Sequence, residues 1–180
     1  MELNGTSYVI LGMLKLGRRT GYEIKQLVDV STRFFWAASY GQIYPELRRL
    51  AQAGLIEEET GPSGGRRRRA YHLTAAGERA LREWLTSGAD PIYELRDEAL
   101  LKFFFADALA PAEAADLVRS RRTGHEAVLD RLRAIESAAS EGPHRFPYLS
   151  LRFGIEFNEF IVGWCDRMER ELAREARKAG

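Results

Sequence analysis

The chain has 180 residues, a formal charge of +1 and a single cysteine, Cys165, so it can bury one sizeable core or two small ones and cannot close an internal disulfide. The opening residues carry no basic stretch ahead of their apolar run, and no run approaches the roughly 18 apolar residues that span a bilayer, so a cytoplasmic protein without membrane spans is expected. Residues 1–90 hold 13 Lys and Arg against 10 Asp and Glu, and residues 91–180 hold 14 against 16, an asymmetry too mild to identify a partner without knowing where the arginines cluster.

Ile10, Met13 and Leu14 recur at helical spacing and stop at Gly17, and Ile24, Leu27 and Val28 repeat the pattern after Thr20 and Gly21, which predicts two short helices. Ser39 can cap a third, with Gln42 reaching back to the cap amide, and this helix runs to about Ala53 and stops at Gly54. Beyond Gly54 the period changes. Leu55 to Glu59 and Ala70 to Leu73 read as two strands joined by a loop rich in Gly, Pro and Ser, with Arg66, Arg67, Arg68 and Arg69 where the second strand begins. Thr74 then caps a fourth helix through Leu81, Trp84 and Leu85, which breaks near Gly88 to Pro91. Helix, helix, helix, hairpin, helix is the order of a winged helix-turn-helix domain.

The second half is helical in pattern. Ala99 to Leu109 is strongly apolar, a long segment runs from about Pro111 to Ser140, and after the break at Gly142, Pro143 and Pro147 a last helix runs from Tyr148 onward. That helix places Phe153, Phe157, Phe160, Ile161, Trp164 and Met168 at spacings of three and four, more large apolar groups than a solvated helix carries. A helical hairpin offers little core, so these six are expected to dimerise the chain, two-fold pairing being the commonest oligomeric arrangement. The fold expected is mainly α: a winged helix-turn-helix domain with a two-stranded wing over residues 1–90, then an all-helical dimerisation domain over residues 91–180.

On the third helix, at about 100° per residue, Ile43, Leu47 and Leu50 face the core. The opposite sector holds Gly41, Gln42, Pro45, Arg48 and Arg49, with Tyr44 at its edge. Gln reads adenine, Arg reads guanine or holds phosphate, and Tyr takes phosphate contacts, so this face suits a major groove; an ordinary polar helix face is the competing reading. Pro45 removes the bond to the carbonyl of Gly41, and the pair gives either a fixed shape at the start of a reading helix or a tolerated kink. The four arginines on a glycine-rich tip suit phosphates or a minor groove. They lack the Gly-Lys-Ser/Thr ending of a nucleotide-binding loop.

Catalysis finds little foothold, so no enzyme and no cofactor are expected. His72, His125 and His144 show no metal-binding spacing, and Cys165 sits amid the apolar face of the last helix. Phe103 to Phe105, Trp36, Trp84 and Trp164 could line an effector cavity, although core packing is the favoured reading.

Ser39 to Leu50, Gly54-Leu55-Ile56, Arg67 to Tyr71, Leu73 to Gly77 and Gly21-Tyr22-Glu23-Ile24 together closely resemble the PadR family of bacterial transcriptional regulators over about residues 7–86. Asp97 to Lys102 and the helices that follow look like the longer PadR-type proteins with a virulence-activator-like C-terminal dimerisation domain. The resemblance implies a homodimer that binds a palindromic or near-palindromic double-stranded operator, usually as a repressor, sometimes relieved by phenolic or drug-like small molecules. By position it implies reading-helix contacts at Ser39, Tyr40, Gln42, Tyr44 and Arg48 and wing contacts at Arg66 to Arg69; the helical wheel itself turns Tyr40 partly toward the core. The rival class is a winged helix that docks a partner protein through Tyr44 and Arg48.

Overall fold

The computed structural model describes residues 2–59, 69–88 and 96–179. The chain divides into two compact units, Met1–Pro91 and Ile92–Gly180.

In the first unit, α1 (Gly5–Lys15) begins because Asn4 Oδ1 accepts the Ser7 amide at 3.0 Å while Ser7 Oγ accepts the Asn4 amide at 2.9 Å. A reciprocal cap of this kind satisfies two of the donors a helix start leaves open. Thr20 and Glu23 make the same exchange, at 3.2 and 2.9 Å, ahead of α2 (Gly21–Val30). The helix α3 (Tyr40–Gln52) opens at Ser39, whose amide donates to Gln42 Oε1 at 2.8 Å. It closes at Gly54, whose φ of 69° is the left-handed conformation that glycine tolerates best.

Strand β1 (Ile56–Glu58) pairs antiparallel with β2 (Tyr71–Leu73), Ile56 opposite Leu73 and Glu58 opposite Tyr71. A bridge between Thr20 and Ala70, with the Tyr71 amide donating to the Arg19 carbonyl at 2.7 Å, adds a third short segment to the expected hairpin. The wing is thereby tied to the turn between α1 and α2. The last helix of this unit, α4 (Ala75–Leu85), starts at Thr74, whose Oγ1 accepts the Gly77 amide and donates to the Gly54 carbonyl at 2.7 Å. A Cβ at Gly77 would lie 2.0 Å from the Leu55 carbonyl oxygen, so only glycine lets α4 approach the turn that ends α3. Ile10, Leu11, Ile24, Val28, Ile43, Leu47, Leu50 and Ile56 form one continuous core beneath these elements. Each such side chain contributes about 1.5–3 kcal/mol by leaving water.

The second unit comprises α5 (Glu98–Phe104), α6 (Pro111–Ala134), α7 (Glu136–Ser140) and α8 (Arg145–Ala179). Asp97 caps α5 by accepting the Leu100 amide at 3.0 Å, and its carboxylate takes two bonds from Arg121 of α6, at 2.8 and 2.6 Å. Arg121 holds the Asp97 carboxyl well below the usual range, at about 2. Two helix boundaries differ from expectation. The segment from Pro111 to Ser140 breaks at Ile135, and the last helix starts at Arg145 rather than Tyr148. Pro147 does not delay it because the first turn has no intrahelical acceptor for that amide in any case.

Helices α6 and α8 pack as a hairpin around two small clusters: Val118, Ile161 and Cys165, joined by Phe103, Trp164 and Met168, and then Leu129, Leu132 and Ile155. Between them His125 Nδ1 lies 2.7 Å from Asn158 Oδ1, and Asn158 Nδ2 donates to the Gly154 carbonyl. The six residues expected on one dimerising face therefore separate. Ile161, Trp164 and Met168 pack inside their own chain, whereas Phe153, Phe157 and Phe160 are 67, 41 and 61% exposed. The apolar stripe of α8 is broad enough to serve α6 on one side and leave a row of aromatics outside. Core packing also fails for four of the aromatics: Trp36, Trp84, Phe104 and Phe105 are exposed. Phe103 and Trp164 do meet, edge to face at 5.3 Å. Among the described residues no helix is long and apolar enough to cross a membrane.

Candidate nucleic-acid interface

Helix α3 is anchored from below by Ile43, Leu47 and Leu50, all fully buried, which fixes what it presents above. Gly41, Gln42, Tyr44, Pro45 and Arg48 are exposed, and Arg48 forms no ion pair among the described residues. Tyr40, expected partly toward the core, stands 44% exposed with its ring 6.0 Å from that of Tyr44. The Tyr44 ring rests on Gly21, where a Cβ would approach Tyr44 Cε1 to 2.7 Å, so the first residue of α2 makes the seat for an exposed tyrosine of α3. Lys25, one turn along α2, lies 5.5 Å from the centre of the Tyr40 ring while pairing with Asp29. A cation over an aromatic face adds a modest attraction that keeps the ring upright.

The structure bears on two assignments, correcting the outward direction given to Arg49 and adding a condition to Gln42. Arg49, placed by the wheel on the outward sector, folds inward: its Nε and Nη2 donate to Glu46 at 2.7 and 2.6 Å, and Nη1 donates to the Glu2 carbonyl at 3.0 Å. A buried carboxylate one turn back along the helix draws it there. Gln42 is exposed, but its Oε1 accepts from both the amide and the hydroxyl of Ser39. Bidentate recognition of adenine needs that oxygen as acceptor and the side-chain NH₂ as donor, so Gln42 must leave the cap to read a base in this way.

Arg66, Arg67 and Arg68 lie outside the described residues. Arg69 pairs with Glu58 at 3.2 Å, and Arg19, across the third segment of the sheet, pairs with Glu59 at 2.6 Å. Both are surface pairs, worth about 0–1 kcal/mol each, and such arginines exchange a carboxylate for a phosphate at little cost. The acidic end of β1 thus balances the base of a basic wing.

Sequence reasoning missed Glu46, Ser7 and Lys25. Glu46 is only 7% exposed in spite of its charge. The Arg49 hydrogen bonds hold its carboxyl below the usual range against the upward pull of burial. Periodicity did carry a signal, since Glu46 falls beside Ile43, Leu47 and Leu50 on the wheel, but its charge argued against the core. Lys25 had a local signal in the Asp29 four residues on.

Two family models match the chain: the Transcriptional regulator PadR-like family over residues 10–83 and Virulence activator alpha C-term over residues 95–173. The chain is 32% identical to the negative transcriptional regulator PadR of Bacillus subtilis over 169 residues, 88% of this chain and 92% of that protein. This chain belongs to the PadR family of transcriptional regulators. The crystal structure of Bacillus subtilis PadR in complex with operator DNA matches with a TM-score of 0.86 at 28% identity, over 96% of this chain and 99% of that one. The complex of the same Bacillus protein with p-coumaric acid matches with a TM-score of 0.78 at 26% identity, over the same shares of the two chains. The Vibrio cholerae virulence activator AphA, at 24% identity and a TM-score of 0.75 over 95% of this chain and 99% of that one, shares the fold. This PadR-family chain is a winged-helix, DNA-binding regulator of transcription, with α2 and α3 as the two helices of its helix-turn-helix and β1–β2 as its wing.

Proposed function

We propose that this chain represses transcription in the cytoplasm as a homodimer, with the α3 helices of two protomers entering successive major grooves of a two-fold-symmetric operator about 34 Å apart. The N-terminal domain, residues 1–90, reads the DNA and the C-terminal domain, residues 91–180, dimerises. Tyr44 and Arg48 are the principal groups of the reading face, with Ser39, Tyr40 and Gln42 at its start. Arg66 to Arg69 follow flanking phosphates or a minor groove. Arg49 falls outside the set.

The observation that carries this reading is the exposed tier of Tyr40, Tyr44 and Arg48 set over fully buried Ile43, Leu47 and Leu50, on a chain similar to an operator-bound regulator. The partner surface is the row Phe153, Phe157 and Phe160, while Ile161, Trp164 and Met168 support it from within. A small aromatic acid that releases the operator fits the p-coumaric acid bound by the Bacillus protein.

The test is operator binding across a salt series, with Arg67→Ala combined with Arg68→Ala. Each phosphate contact contributes about 0.9 to the slope of log affinity on log salt, so the double variant should flatten the slope by up to about 1.8. An unchanged slope counts against DNA contact by the wing. Light scattering at micromolar concentration should report a dimer, and a monomer would remove the dimer from the proposal.

A further inference from the structure

We propose that Glu46 and Arg49 are positioning residues: together with Ser7 they lock the reading helix to α1 and hold Arg49 off the nucleic acid, leaving Arg48 as the cation of the α3 reading face. The proposal rests on the reading above that α3 enters a groove.

The geometry is closed. Glu46 Oε1 accepts from Arg49 Nη2 at 2.6 Å and from Ser7 Oγ at 2.5 Å, while Oε2 accepts from Arg49 Nε at 2.7 Å. Arg49 Nη2 also donates to Ser7 Oγ at 3.0 Å and Nη1 donates to the Glu2 carbonyl. Four of the five guanidinium N–H groups are thereby engaged. Ser7 is fully buried, and its hydroxyl also accepts the Asn4 amide in the cap of α1. One hydroxyl thus joins the first turn of α1 to the middle of α3, a link between residues 39 apart in the chain.

Electrostatics explains why both members are required. A carboxylate under a helix that faces a polyanion would oppose binding if left bare, and Arg49 cancels it with a planar, two-point match that lysine cannot make. Conversely, a released Arg49 would be a mobile cation beside the reading face. It would bind phosphate on any sequence and narrow the gap between specific and non-specific affinity.

Purified variants bind duplexes tiled across the DNA upstream of the gene, with an unrelated duplex of equal length as the non-specific control, between 50 and 200 mM salt. Glu46→Gln removes the charge and one acceptor, so Arg49 is released. Non-specific affinity should rise and the slope steepen by about 0.9, an additional fall of about threefold in affinity across that salt range. Arg48→Ala should flatten the operator slope by the same amount. Glu46→Leu combined with Arg49→Leu removes the pair without leaving a buried charge and should keep the wild-type slope, with thermal melting as the check that it is folded. An operator slope flattened by about 0.9 in this folded double variant overturns the proposal, because Arg49 would then be a phosphate contact. An unchanged non-specific slope in Glu46→Gln overturns it as well. Failure of the wild type to prefer any upstream duplex is a different result and sinks the reading-helix assignment itself.

Discussion

The two units bury themselves differently. The first closes one core from Ile10 to Leu81 and turns Tyr40, Gln42, Tyr44 and Arg48 outward, with Phe35 and Trp36 also exposed, whereas the second splits its core into two small clusters around a His125–Asn158 layer and leaves a row of aromatics outside along α8. A unit with one continuous core can spend a helix face on recognising a charged polymer. One whose exposed row is Phe153, Phe157 and Phe160 has apolar area still to cover, as protein–protein interfaces do at their centres.

The comparison breaks most visibly at that row. Phe153→Glu with Phe157→Glu should leave each protomer folded but monomeric, and operator affinity should drop by about 100-fold or more because the second half-site is no longer bound intramolecularly. Sedimentation and a binding titration report both effects, and a dimer with unchanged affinity would place the interface elsewhere. Next in size is Gly77→Ala. Its Cβ would meet the Leu55 carbonyl oxygen at 2.0 Å, a backbone atom that cannot swing aside, so the first unit should lose about 1–3 kcal/mol while the second is untouched. Two separate thermal transitions, only the earlier one shifted, would match this; a shift in both would show that the units do not unfold independently.

Smallest, and confined to the second unit, is the acid response. Asp97 has its folded pKa depressed to about 2 by Arg121, so its contribution is present above the unfolded value of about 3.9 and is lost as pH falls through that window toward 2. Asp97→Asn should lower the stability of the second unit at neutral pH and flatten its loss below pH 4, measured by denaturant titrations at several pH values. An equally steep acid loss in the variant would assign it to other carboxylates.

The sequence was most legible where the physics is local. Gly54 at the helix stop, Thr74 at the cap and Gln42 reaching back to Ser39 all act within a few residues, and each is found in place. Arg49 was misread because helical periodicity assigns a direction to the backbone position, while a long side chain follows its partners. One of those partners, Ser7, lies 42 residues away. The division of α8 was hidden for a related reason. Spacings of three and four gather Phe153 and Ile161 into one stripe, and only the path of α6 decides that Ile161 is covered and Phe153 is not. Glu46 inverted the usual inference from charge to exposure, since a carboxylate that meets a guanidinium and a hydroxyl can stay inside.

Hydroxyl-radical footprinting of the purified protein on the DNA upstream of its own gene tests the central claim most directly, that two copies of α3 read one operator. Two protected patches related by two-fold symmetry and centred about 10 base pairs apart are predicted, each lost together in Tyr44→Ala with Arg48→Ala. Uniform protection across the fragment, or a footprint that survives the double substitution, would contradict it.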